Sequence, residues 1–315
     1  MNKKVLIAVD VNNQHVELFK EAAGGKCDFV IKPMAELTED DVALVQAIIG
    51  NVSPDLVKKA SKLEFLQLNS AGYDQYVQPG VLDPKVSLCN AVGSYGLTVS
   101  EHMLALSFDL IRHLALYRDK QHAHDWSDCG NVTSIWGSTI AVLGLGDIGG
   151  SYAQKVKALG AKCVIGVRRN VNNKPDYVDE IYAFEDLDKV LPRADIVAMV
   201  LPDSPTTRNL MHKERLFRMK KGAYIINVGR GTAVNQEDLL EAIRAGHIGG
   251  AALDVTAPEP LPSDSPLWDE PRIVLTPHVA GNFFLQETFE RMIRISARNL
   301  HAYLEGSELK NLVKR

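Results

Sequence analysis

Residues 139–169 constrain the fold of this chain more than any other stretch. An apolar run, Ile140-Ala141-Val142-Leu143, passes directly into Gly144-Leu145-Gly146-Asp147-Ile148-Gly149 and then into a helical pattern. A strand that turns tightly into a helix presents unpaired backbone N–H groups at the helix N-terminus, and these attract a pyrophosphate. Each glycine has a reason: Gly144 for the turn, Gly146 to keep a Cβ out of the path of the phosphates, Gly149 for close packing of helix on strand. Glycines cluster in ordinary turns too, but the strand before and the helix after supply the context that a dinucleotide cradle requires.

The next strand, Lys162-Cys163-Val164-Ile165-Gly166-Val167, ends about 20 residues past the glycines, where an acidic side chain would hold the ribose 2′-hydroxyl of NAD. This chain has Arg168 and Arg169 there. A carboxylate would repel a 2′-phosphate, whereas a guanidinium pairs with it in a bidentate fork. The expectation is therefore NADP(H) ahead of NAD(H), with NAD(H) still possible.

At 315 residues the chain can bury two substantial cores, so two domains are the starting point. Its 46% hydrophobic and 23% charged composition is ordinary for a globular protein, and a net charge of −4 without a basic run gives nucleic acid or an anionic membrane no electrostatic hold. Lys3-Lys4 before Val5-Leu6-Ile7-Ala8-Val9 is too short for a signal peptide, and no apolar run approaches the roughly 20 residues of a membrane span. Cys27, Cys89, Cys129 and Cys163 lack C-x-x-C spacing and read as buried, reduced thiols of a cytoplasmic protein. Two imidazoles with a carboxylate in His122-Ala123-His124-Asp125 complete no tetrahedral set, so no metal is expected and the segment reads as a solvated connector.

From the N-terminus, β-rich runs at 5–9, 29–31, 47–50 and 65–68 alternate with helical patterns at 16–23, 40–46 and 54–60, with Thr38 and Ser53-Pro54 as helix starts. Such alternation indicates parallel strands with helical crossovers. A long helical pattern over 98–112, containing His102 as an interdomain packing residue, leads to the glycine cradle. Alternation then resumes through strands at 196–201, 223–228, 250–255 and 273–275. A last helix over 283–304 is long enough to return to the first unit. The expected architecture is α/β with two doubly wound parallel sheets: a Rossmann-type cofactor domain over 98–282, inserted into a discontinuous flavodoxin-like substrate domain made of 1–97 and 283–315.

Three segments in the second half carry polar groups at strand ends: Asn227-Val228-Gly229-Arg230-Gly231, Asp254-Val255-Thr256-Ala257-Pro258-Glu259-Pro260-Leu261, and Thr276-Pro277-His278-Val279-Ala280-Gly281. Strand C-termini border the ligand crevice of a doubly wound sheet, so a cation, a carboxylate and an imidazole should converge there. Hydride transfer between nicotinamide and a 2-oxo or 2-hydroxy acid uses those three. His278 would give the proton to the substrate oxygen, Glu259 would orient and charge the ring, and Arg230 would clamp the substrate carboxylate.

These motifs, with Leu201-Pro202 and Thr206-Thr207, resemble the D-isomer-specific 2-hydroxyacid dehydrogenase family over nearly the full length. The resemblance implies that Arg230, Glu259 and His278 form the catalytic trio. It implies cofactor contacts from Gly144, Gly146, Asp147, Ile148, Gly149, Arg168, Arg169, Leu201, Pro202, Thr207, Val228, Gly229, Asp254 and Gly281, with Asp254 on the carboxamide. It also implies that Ser70-Ala71-Gly72 of the other domain offers backbone N–H groups to the substrate carboxylate, beside Arg230 and His278, and that Tyr95 covers the substrate. Arg168 departs from the NAD-using pattern and resembles the NADP-using glyoxylate and hydroxypyruvate reductases. A D-specific product and a homodimer are implied as well. With Arg315 as the last residue, a long-form phosphoglycerate dehydrogenase is not expected, and Glu259 stands where formate dehydrogenases carry an amide. The competing expectation is a dinucleotide-sensing, corepressor-like protein without significant turnover.

Overall fold

The computed structural model describes residues 2–315 and divides into two compact units, one running to Tyr95 and resuming as Phe283–Arg315, the other Gly96–Asn282. Both are built on a wholly parallel sheet with helical crossovers.

The first unit contains β1 (Lys3–Ile7), α1 (Asn13–Ala23), β2 (Cys27–Ile31), α2 (Glu39–Ala43), β3 (Ala47–Ile49), α3 (Pro54–Val57), β4 (Phe65–Gln67) and β5 (Ser87–Cys89). Its strand order, β2-β1-β3-β4-β5, is that of flavodoxin, with a switch point between β1 and β3. Leu6, Ile48, Leu66 and Leu88 from four adjacent strands meet Val52 and Tyr76 in one core. The helix starts follow side-chain chemistry: Thr38 and Asp41 form a capping box, and Ser53 accepts from Leu56 N. The cap of α1 is Asn12, whose Oδ1 accepts from His15 N while His15 Nδ1 accepts from Asn12 N.

Two differences from expectation have local causes. The helix expected over 40–46 stops at Ala43, because Gln46 N donates to Lys4 O and Gln46 O accepts from Glu64 N, which draws the chain into the sheet. β5 was not expected, since no α-helix separates it from β4 and the strand–helix alternation gives no sign of it.

The second unit opens with α4 (Gly96–Arg112) and α5 (Leu114–His122). It continues with β6 (Thr139–Leu143), α6 (Asp147–Ala158), β7 (Cys163–Val167), β8 (Glu180–Tyr182), α7 (Leu187–Val190), β9 (Ile196–Met199), α8 (Lys213–Arg218), β10 (Tyr224–Asn227), α9 (Gln236–Arg244), β11 (Gly250–Leu253) and β12 (Ile273–Leu275). The order β12-β11-β10-β9-β6-β7-β8 is the doubly wound Rossmann order with one strand added. The inner strands β6, β9 and β11 are buried on both faces, as parallel strands between helical layers must be. The chain returns to the first unit in α10 (Gln286–Glu305), which ends where Gly306 takes φ 64°.

The cysteines need correction. All four are free, but only Cys89 is buried; Cys129 lies on the irregular segment after α5, whose polar composition leaves it little to pack against. Among the described residues no His/Cys/Asp/Glu cluster could hold a metal ion, and no helix is long and apolar enough to cross a membrane.

Candidate active site

At the end of β6, Gly144 takes φ 96°, and a Cβ there would lie 2.5 Å from Val200 O. A Cβ on Gly149 would lie 1.9 Å from Gly144 O, so α6 can approach the turn only with glycine at that position. Gly146, the N-cap of α6, is different: it is exposed, and a Cβ there would meet nothing within 4 Å. Packing does not call for a glycine here, whereas a group seated against the first turn of α6 would. The open position, facing the N–H groups of a twelve-residue helix, fits a pyrophosphate. Asp147 turns its carboxylate toward α4, where a Cβ on Gly96 would be 2.4 Å from Oδ1.

Arg168 leaves β7 with its backbone N bonded to Tyr182 O, and its guanidinium donates to the carbonyls of Asn172 and Asn173. Its Nε is buried and finds no partner among the described residues. An orphaned donor on an anchored guanidinium is the kind of group a bound anion would satisfy. Arg169 is exposed beside it.

β9, β10, β11 and β12 are neighbours, so the loops leaving their carboxyl ends lie side by side at strand spacings of about 5 Å. After β9, Leu201 is buried and Thr207 Oγ1 donates to Pro202 O at 2.7 Å, a bond that folds the loop on itself. After β10, the buried Asn227 amide accepts from Gly229 N and donates to Arg230 O. Val228 is buried, and a Cβ on Gly231 would fall 2.0 Å from the Thr256 carbonyl. The backbone carrying Arg230 is thereby pressed against the loop carrying Glu259. Arg230 Nη1 donates to Gly229 O at 2.8 Å. Its charge reaches Asp203, whose carboxyl is held below its usual range first by hydrogen bonds from Arg208, then by Thr232, with Arg230 adding to them.

After β11 and β12, His278 Nδ1 lies 2.8 Å from Glu259 Oε2, and Glu259 Oε1 accepts from Thr256 N at 3.0 Å. A carboxylate only accepts, so Nδ1 carries the proton and Nε2 is left for a reacting group. The two side chains are 50% and 37% exposed, which leaves a substrate room to reach them. His278 sits at φ 53°, unusual for a residue with a Cβ. Asp254, 2% exposed, holds it there. Asp254 Oδ1 accepts from Thr276 Oγ1 at 2.6 Å and Val279 N at 2.9 Å, Oδ2 from Ala280 N at 3.1 Å, and the Asp254 carbonyl from His278 N at 2.8 Å.

In the first unit, Ser70 Oγ donates to Gly72 O, Ser70 O accepts from Ala91 N, and Ala71 O accepts from Asn90 Nδ2. No hydrogen bond from the N–H groups of Ser70, Ala71 or Gly72 is present among the described residues. The segment thus presents donors while its acceptors are engaged. Tyr95 is 7% exposed, packs its ring at a tilt against Phe283 and donates its hydroxyl to Asn69 O. Burial pushes its phenol pKa up, so it stays a donor. Its hydroxyl is therefore engaged in fixing the chain that enters Ser70.

The family profile for D-isomer specific 2-hydroxyacid dehydrogenase, NAD binding domain, matches residues 104–280, more than half of the chain. The chain belongs to the D-isomer specific 2-hydroxyacid dehydrogenase family. Its members are NAD(P)-dependent oxidoreductases of 2-hydroxy acids. A glyoxylate/hydroxypyruvate reductase B from Pectobacterium carotovorum subsp. carotovorum (strain PC1) is 32% identical over 282 residues, covering 86% of each chain. A D-isomer specific 2-hydroxyacid dehydrogenase family protein from Aeromonas salmonicida subsp. salmonicida A449 superposes with TM-score 0.87 at 31% identity, covering 100% of this chain and 99% of the other. An NADPH-dependent glyoxylate/hydroxypyruvate reductase from Sinorhizobium meliloti, solved with NADP and sulfate, superposes with TM-score 0.82 at 25% identity, covering 99% and 98%.

Within this dehydrogenase, sequence reasoning passed over the polar residues that hold the site in shape: Asn227, Thr256 and Thr276. Thr276-Pro277-His278 was legible as a strand end, but nothing in one sequence pairs a threonine hydroxyl with an aspartate 22 residues earlier.

Proposed function

We propose that this chain reduces small 2-oxo acids, glyoxylate and hydroxypyruvate among them, to D-2-hydroxy acids, with NADPH preferred over NADH. The observation that carries the reading is the His278–Glu259 pair at 2.8 Å, a proton donor held in one tautomer at the carboxyl edge of a Rossmann sheet. In this reading Gly96–Asn282 is the cofactor-binding unit and the discontinuous unit binds substrate.

The first turn of α6, with Gly146 and Ile148, would hold the pyrophosphate. Leu201, Pro202, Thr207, Val228, Gly229 and Gly281 would line the nucleotide, and Asp254 would meet the carboxamide. Arg168, with Arg169, would take the 2′-phosphate through the guanidinium whose Nε is unsatisfied. A bound reduced nicotinamide supplies the hydride. The chain supplies the rest: Arg230 binds the substrate carboxylate and orients the carbonyl, and in the discontinuous unit the N–H groups of Ser70, Ala71 and Gly72 are donors suited to a carboxylate. As charge grows on the carbonyl oxygen, His278 Nε2 transfers its proton there. Glu259 Oε2, accepting from Nδ1, keeps the plane of the ring fixed throughout. In the oxidation direction the neutral ring takes the proton back. The family likeness also points to a homodimer, and the exposed Leu114, Tyr117 and Trp126 along α5 and the segment after it are the apolar surface a second copy would cover.

The test is steady-state turnover with NADPH and NADH against glyoxylate, hydroxypyruvate and pyruvate, in the wild type and in Arg168→Asp. NADPH oxidation is expected with at least one of these acids, and the substitution should weaken NADPH by about 10- to 100-fold, the worth of a lost charge-assisted bond, with NADH little changed. Tight cofactor binding without oxidation of any 2-oxo acid would replace the reductase reading with that of a sensor.

A further inference from the structure

We infer that His102 is a positioning residue for His278, acting through Thr276 and Asp254. The inference rests on the reading of His278 as proton donor and adds to that site a residue of α4. His102 Nε2 lies 3.2 Å from Thr276 Oγ1 and 3.7 Å from Asp254 Oδ1. The Thr276 hydroxyl has a single proton, and its 2.6 Å contact with the Asp254 carboxylate claims it, because a carboxylate has none to give. Oγ1 must therefore accept from His102, which places a proton on Nε2. The chain of donors runs one way, from His102 through Thr276 to Asp254.

Asp254 is where that chain matters. Its two oxygens hold Thr276, Val279 and Ala280, which bracket His278, and its carbonyl holds His278 N. A non-glycine residue at positive φ persists only when its surroundings over-determine it. His278 is at φ 53°, and Asp254 is the residue that holds it there from both sides. Asp254 is almost wholly buried, so how well its carboxylate is held depends on the donors aimed at it. Without His102, the Thr276 hydroxyl could rotate away and one oxygen of the hub would lose its fixed partner. The imidazole of His278 would keep Glu259 but lose its defined place. α4 also packs on α6, the helix of the phosphate cradle, with Lys155 donating to Ser100 and Ser107 bonded to Tyr152. His102 thus ties the strand end bearing the proton donor to the helix that backs the cradle.

The experiment compares His102→Ala, His102→Gln, Thr276→Val and the double variant His102→Ala/Thr276→Val in the full chain. A displacement of about 1 Å at a reacting group costs on the order of 100-fold in rate, so His102→Ala is expected to lower kcat by about 10- to 100-fold. KM for the 2-oxo acid should hold within about threefold, since Arg230 lies outside this chain of donors, and NADPH should still bind through the first turn of α6 and Arg168. Glutamine places an N–H donor near the position of Nε2 and should restore most of kcat. The double variant should be no worse than the more impaired single one, as expected for residues in series. Equal losses in the alanine and glutamine variants together with a fall in melting temperature, or an unchanged kcat in His102→Ala, would overturn the assignment. The ring-proton resonance of His278 provides a readout independent of turnover. It should shift or broaden in His102→Ala and return toward wild type in His102→Gln. If the wild type reduces no 2-oxo acid but this pattern appears, the function fails and the positioning role stands. If the wild type turns over and neither kcat nor resonance responds, the positioning role alone fails.

Discussion

His278 acts through one nitrogen because the other is committed. The 2.8 Å contact with Glu259 keeps the proton on Nδ1, and the positive φ turns the ring out of its strand end, where half of the side chain meets solvent. Replacing it with alanine removes the proton donor but no part of the phosphate cradle. We expect His278→Ala to lower kcat by about 100- to 10,000-fold, the range for a lost general acid, while NADPH still binds. Retained turnover, measured beside cofactor binding by fluorescence, would take His278 out of the reaction. Arg230, Glu259 and His278 could be picked out from their motifs. The residues that orient them could not: Thr276 and His102 work through partners far away in the chain, and the bonds that Asn227 and Thr256 make within three residues of themselves leave no periodic or motif signal. His102 was read as a packing residue, and nothing in the sequence pointed to the contact of its Nε2 with Thr276 within Gly96–Asn282.

Among the elements, the β6–α6 turn is tightly constrained. The ideal Cβ of an alanine at residue 149 would overlap the carbonyl oxygen of Gly144 at 1.9 Å, and that oxygen belongs to a turn backed by Val200. Relief requires α6 to move away from β6, which costs about 1–3 kcal/mol as overpacking usually does and withdraws the helix N-terminus from the phosphates. Gly149→Ala should therefore lower both the melting temperature and NADPH affinity. A variant that binds NADPH as the wild type does would show that the close approach is not needed. Elements with a strong period, such as α4, β6 and α10, were legible to within a few residues. β5 and β8 were not, since no α-helix separates either from the strand before it, and each is recognised by the strand it pairs with, Cys89 beside Gln67 and Tyr182 beside Val167.

At the scale of the whole molecule, the first unit depends on a helix nearly 200 residues further along the chain. α10 buries Met292, Ile293, Ala297 and Leu300, and Tyr303 stacks on Phe65 of β4 with centroids 5.0 Å apart. The N-terminal sheet alone leaves that face uncovered. A chain ending at Asn282 should keep Gly96–Asn282 folded and lose the first unit, seen as rapid hydrogen exchange before Tyr95 with protection retained in β6, β9 and β10. Protection of β1, β3 and β4 in the truncated chain would show that the first sheet stands without its returning helix.

Local order along the chain determined the parallel α/β character, the glycine cradle after β6, the arginine in place of an acid after β7, and the three motifs with Arg230, Glu259 and His278. Each is encoded in neighbouring residues, where periodicity and side-chain chemistry act over one strand or one turn. Tertiary structure alone decided that β12, β11 and β10 lie side by side, that Asp254 gathers the Thr276–Ala280 segment around His278, and that Tyr95 gives its hydroxyl to Asn69. Those contacts join residues from different crossovers, and the free energy that selects them comes from satisfying buried polar groups against one another, a requirement that exists only after the chain has folded.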